Sequence, residues 1–203
     1  MQSNLDRCNI DRSLDPTDDC TWANRIVVHC AEVINFCFGD DDHTVRRWAE
    51  LKDYNQQWVK AVPGSFSPIY FQEAERESGE VFPQIWHIGD SHGKSGPSSH
   101  TNFITTTRTS LMGSVTGIQH YILSMILLAV YNPRLPRLGP GQKAALLGVD
   151  DEVKTNIRSL CGMALSNRKT PPHMITACMG ISMCESPASL LQSISSLLQG
   201  INR

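Results

Sequence analysis

The stretch Gln119-His120-Tyr121-Ile122-Leu123-Ser124-Met125-Ile126-Leu127-Leu128-Ala129-Val130-Tyr131-Asn132-Pro133 decides the fold. Between Tyr121 and Tyr131 only Ser124 is polar, so no face is set aside for water and the segment reads as a helix buried all round. Asn132-Pro133 terminates it, because proline offers no backbone N–H and disfavours helical backbone before it. Carried back to Thr116, the helix spans 116–131. Its apolar run is well short of the ~20 residues a membrane-spanning helix requires. It is therefore expected at the centre of a helical core, and no membrane contact is expected.

Working outward toward the N-terminus, Ile26, Cys30, Ile34 and Phe38, with Val27 and Ala31 beside them, recur at helical spacing between Trp22 and Phe38. Gly39 and the acidic Asp40-Asp41-Asp42 stop that helix. A second begins after Thr44 as N-cap, lines up Trp48, Leu51, Asn55 and Trp58, and ends before Pro63. Pro63 to Pro68 forms a turn, Ile69 to Arg76 is expected as a short helix, and Glu80 to His87 as one more helical turn. Toward the C-terminus, Val153, Ile157, Leu160, Cys161 and Ala164 predict a long helix or pair over 141–167. Pro171-Pro172 opens another running to about Cys184. The last has Ser186 as N-cap, Pro187 at its first position and an apolar stripe of Leu190, Leu191, Ile194, Leu197, Leu198 and Ile201. No segment alternates as a strand does. The predicted architecture is all-α and compact: a disordered segment 1–20, then one helical domain over 21–203.

The region 93–114 interrupts this pattern with Ser, Thr, Gly, His and Arg and few apolar residues. A structureless loop of such length is uncommon inside a packed domain. One reading is a polar surface loop. The other is a translated intron, since Gly93-Lys94 can be encoded by GGTAAG, which contains a fungal splice-donor sequence, and its removal joins His92 to Val115 in frame.

Composition excludes more than it selects. At 203 residues the chain can bury most of its unfolded surface. Its 40% hydrophobic and 19% charged content is ordinary, and a net charge of −2 offers no bulk attraction to nucleic acid or anionic lipid. The N-terminus lacks the apolar core of a secretory signal, which points to an intracellular location. Seven cysteines include no CxxC pair, and the closest pairs, Cys30 with Cys37 and Cys178 with Cys184, fall on predicted helices, where buried structural thiols are expected.

Tests for chemistry return little. The histidines are scattered, with no HExxH or Cys-His cluster, so no metal and no cofactor is expected. Gly89-Asp90-Ser91-His92-Gly93 has the G-x-S-x-G spacing but follows no predicted strand, as a nucleophile elbow must, and Ile88 stands where a P-loop needs its first glycine. The acidic triplet at 40–42 lacks the alternating ligands of an EF-hand. Arg46-Arg47 and Arg134 to Arg137 are too short for a nucleic-acid groove. No catalytic residue is assigned and the chain is not expected to be an enzyme. Paired tryptophans pack cores, yet they also line cavities between helices. Trp48, Trp58, Trp86, His120 and Tyr121 are therefore the candidate ligand-binding set, where aromatic and polar groups converge on the start of the buried helix.

Taken in order, Trp48-x-x-Leu51, Trp58, Pro63-Gly64-Ser65-Phe66-x-Pro68-Ile69, Phe82-Pro83-x-Ile85-Trp86, Gln119-His120-Tyr121, Ile126 to Ala129, Asn132-Pro133 and Cys161-Gly162-x-Ala164 resemble the regulatory domain of fungal-specific transcription factors. In that family it follows a zinc binuclear cluster, whose two C-x2-C-x6-C arms are missing here, so zinc and direct DNA contact carry over to no residue. The resemblance spans roughly Trp22 to Cys184. It implies a nuclear helical module that modulates transcription through ligand or protein contacts. Its implied partners are transcription-related proteins or a related zinc cluster factor, as in a dimer, with Leu190, Leu191, Ile194, Leu197 and Leu198 as the candidate interface. The rival readings are a helical small-molecule-binding protein or enzyme using the same aromatic cavity, and a non-functional truncated product.

Overall fold

The apolar segment lies where its composition places it, in the middle of the helices. The computed structural model describes residues 12–40, 43–75, 79–87, 101–136, 138–167 and 171–184, with side chains from 113 onward in the third helix and over 173–182 in the last. Among them are five helices: α1 (Asp19–Phe38), α2 (Val45–Ala61), α3 (Thr101–Val130), α4 (Gly141–Ser166) and α5 (Pro171–Cys184). A 3-10 turn, Gly64–Phe66, precedes a two-stranded antiparallel sheet of β1 (Tyr70–Gln72) and β2 (Gln84–Trp86). The fold is all-α apart from this small sheet.

Every other helix packs on α3, α1 most extensively. On one side Ile122 and Ile126 meet Val153, Ile157 and Leu160 of α4 and Ala177 and Ile181 of α5. On another, Leu123, Leu127 and Leu128 meet Cys30 and Val33 of α1 and Trp48 and Leu51 of α2. A third cluster joins Trp22 and Ile26 to Trp58 and Phe66. Ser124, fully buried, satisfies itself by donating to the His120 carbonyl at 2.8 Å. Gly113–Val130 is long and apolar enough to cross a membrane by length and composition, but 56% of it is buried against the other helices, as a core helix is.

Local chemistry explains the helix starts. The Asp18 carboxylate accepts from the Thr21 amide at 3.0 Å and caps α1, and the Thr21 hydroxyl, donating at 2.7 Å, together with that amide holds its pKa below the ordinary value. Thr44, the expected cap of α2, accepts from the Arg47 amide at 3.2 Å. All four residues of the predicted α2 stripe, Trp48, Leu51, Asn55 and Trp58, are buried. So are Val153, Ile157, Leu160, Cys161 and Ala164 on α4, which is one helix rather than a pair.

Elsewhere the structure differs. The expected helix at 69–76 and the helical turn at 80–87 are β1 and β2, paired Tyr70 with Trp86, Phe71 with Ile85 and Gln72 with Gln84. Strands three residues long cannot display alternation, and the second is secured from outside the sheet. Ser166 Oγ accepts from the Ile85 amide at 3.0 Å, and Asn167 Nδ2 donates to the Ile85 carbonyl at 3.2 Å. On α1 the buried face runs through Trp22, Ile26, His29, Cys30, Val33 and Cys37, while Phe38 is exposed. The i, i+4 series ending at Phe38 drifts about 40° per step around a 3.6-residue helix, so its end turns outward.

Of the polar region, residues 93–100 lie outside the described residues, and from Thr101 the backbone is continuous helix in place of a loop. Within the first twenty residues, Ser13 Oγ and the Asp15 carbonyl accept from the buried Arg25 guanidinium at 2.9 and 2.8 Å, Arg12 pairs with Glu32, and α1 begins at Asp19. Cys30, Cys37 and Cys161 are buried as expected; Cys178 is exposed, because α5 turns its Ala177–Ile181 side to the core. The final stripe, Leu190 to Ile201, lies outside the described residues.

Candidate functional site

A cleft opens where α2, α3 and α4 meet. Trp48, Lys52, Asn55 and Gln56 line it from α2, at spacings of four, three and one that keep them on one helical face. Tyr121, Met125, Leu128 and Ala129 come from α3, Asn132 from just beyond it, and Val149 and Glu152 from α4. Its cavity volume is about 100 Å³, small beside the roughly 300–1,000 Å³ of pockets that engulf drug-sized ligands. The cleft accepts a small molecule, or the head of a larger one.

Aromatic groups set its floor. Trp48 is pinned by its indole N–H, which donates to the Leu128 carbonyl at 2.8 Å. The Lys52 ammonium sits 4.9 Å from the centre of that ring and the Arg134 guanidinium 5.3 Å from it. Tyr121 stacks on Trp58, centroids 5.7 Å apart at 24°, and burial pushes its hydroxyl pKa up. Trp58 is held in turn by its N–H on the Trp22 carbonyl at 3.1 Å and by edge contacts with Trp22 and Phe66.

Asn55 stands out in the lining. It is 3% exposed, and its Oδ1 has no hydrogen-bond partner. A buried acceptor left unpaired costs about 1–3 kcal/mol.

The five expected ligand residues separate. Trp48 and Tyr121 line the cleft, and Trp58 backs Tyr121 from inside the core without reaching the opening. Trp86 does not line the cleft; it sits on β2, 38% exposed. His120 lies next to Tyr121 but outside the lining; its Nδ1 is 2.8 Å from the Thr116 carbonyl, and burial lowers its pKa against the upward pull of that contact.

A second polar group lies deeper. Gln119 is fully buried, donating from Nε2 to the His173 carbonyl at 3.1 Å while its Oε1 has no partner. His87, at the end of β2, is 2% exposed with neither ring nitrogen bonded. Burial, with the nearby His173 imidazole, lowers its pKa to about 4. Among the described residues no three His, Cys, Asp or Glu side chains are grouped to hold a metal ion.

Comparison of the chain with protein-family models, curated proteins and solved structures finds no match.

Sequence reading missed Lys52, Gln56 and Glu152 as lining residues. Asn55 carried a usable signal, a polar side chain on the otherwise apolar Trp48–Leu51–Trp58 stripe. Lys52 and Glu152 carried none, being charged residues on exposed helix faces, as most are.

Proposed function

We propose that this chain is the regulatory, non-DNA-contacting domain of a fungal transcription factor, acting in the nucleus through ligand or protein contacts rather than by catalysis. Its partners in this reading are transcription-related proteins or an intact zinc cluster factor. The observation that carries it is the cleft between α2, α3 and α4, lined by Trp48, Tyr121 and Asn55, whose buried Oδ1 has no hydrogen-bond partner. Occupancy there ties three helices together, and a ligand that stabilises one arrangement of them shifts whatever surface they present to a partner. The ordered motifs from Trp48 to Ala164 support the family reading.

Fusing the full chain to a heterologous DNA-binding domain upstream of a reporter tests this. Expected is transcriptional output different from the DNA-binding domain alone, and altered by Met125→Trp, which fills the cleft. Output identical to the bare DNA-binding domain, with the folded fusion confirmed on the promoter, removes the proposal.

A further inference from the structure

The lining of the cleft carries both signs of charge, and the two do not neutralise each other. Lys52 on α2 and Glu152 on α4 both line it. Neither joins the ion pairs formed among the described residues, such as Arg12 and Arg47 with Glu32, Arg46 and Arg47 with Glu50, and Lys154 with Asp150. Asn55, whose buried oxygen lacks a donor, lines the same cleft.

Each group specifies part of an occupant. An unpaired carbonyl-type oxygen and a carboxylate together favour a compact cation that donates hydrogen bonds, which describes an ammonium. The Lys52 ammonium over Trp48, with the Arg134 guanidinium beside the same ring, favours an anion next to it, which describes a carboxylate. A cavity of about 100 Å³ is well below the roughly 300–1,000 Å³ of pockets that engulf a drug-sized ligand, so the head of a ligand enters and the rest extends through the open mouth.

We propose that the cleft binds the ammonium–carboxylate head of a free α-amino acid, the ammonium toward Asn55 and Glu152 and the carboxylate toward Lys52. The proposal rests on reading the cleft as the domain's ligand site, and it names the ligand class. The side chain of the amino acid, lying at the mouth beside Gln56 and Asn132, sets which one is preferred.

The test is a titration of the 15N-labelled full chain with a panel of free L-amino acids, followed by NMR. Controls are the N-acetyl and methyl-ester derivatives, each of which cancels one charge. Expected is a saturable shift of the Trp48 indole and Asn55 side-chain amide signals for at least one amino acid, weakened about tenfold or more by either blocking group. Lys52→Met and Glu152→Gln, both at exposed positions, are each expected to weaken it about tenfold as well. Binding that survives both blocking groups and both substitutions overturns the proposal, as does a folded chain whose cleft signals do not move for any member of the panel. The two readings fail separately. Cleft binding with no reporter response leaves the ligand and removes the regulatory function; a reporter response without cleft binding leaves that function and removes this ligand.

Discussion

Gly162 shows what a single residue decides in this chain. A Cβ built there falls 2.3 Å from the Pro83 carbonyl oxygen and 2.9 Å from Pro83 Cγ, so only hydrogen at this position lets the segment before β2 lie against α4. Two motifs far apart in sequence, Phe82-Pro83 and Cys161-Gly162, are thereby one contact. Gly162→Ala is expected to destabilise by about 1–3 kcal/mol through overpacking, outweighing a helix-propensity gain of up to about 1 kcal/mol. Urea unfolding checks this, and an unchanged or raised midpoint contradicts it. Gly162 was legible in the sequence as a member of a motif; the reason for it was not, because Pro83 approaches only after α4 and β2 have docked.

At the scale of elements, the legible features were those set by a helix's own periodicity. The stripes of α2 and α4 follow from the 3.6-residue repeat, and the cap at Thr44 from its hydroxyl alone. β1 and β2 were not legible, since much of what fixes β2 lies on α4. Asn167 closes that helix with its amide on the Met163 carbonyl at 3.0 Å, and its side chain donates to both Met163 O and Ile85 O. Replacing Asn167 with alanine strips the β2 backbone of a buried partner. The expected cost is about 1–3 kcal/mol, with faster amide hydrogen exchange in 84–86 than in the core of α3. Unchanged exchange in 84–86 rejects the clamp.

For the whole molecule, two buried imidazoles couple stability to pH. Burial lowers His29 to about 3, assisted by the Arg12 and Arg47 charges, and His87 to about 4. In the unfolded chain both return to near 6.5. Since the unfolded state binds more protons, stability is fully present above about 6.5 and is lost as pH falls through that value, toward about 4 for His87 and about 3 for His29. Urea midpoints measured from pH 7 downward are expected to fall over this window. His87→Gln is expected to flatten the slope; an equally steep loss in that variant assigns the effect to other groups.

The all-α class, the buried axis through Leu123, Ile126 and Leu127, and the α2 face bearing Trp48 and Asn55 were determined by the sequence itself, because each depends on residues a few positions apart on one helix. Tertiary structure alone decided the rest. Whether Trp86 faces core or solvent, whether the 101–114 segment prolongs α3, and whether Lys52 and Glu152 meet across one cleft all depend on contacts between residues tens of positions apart. Those distances are set by packing, on which the local pattern of a chain carries no information.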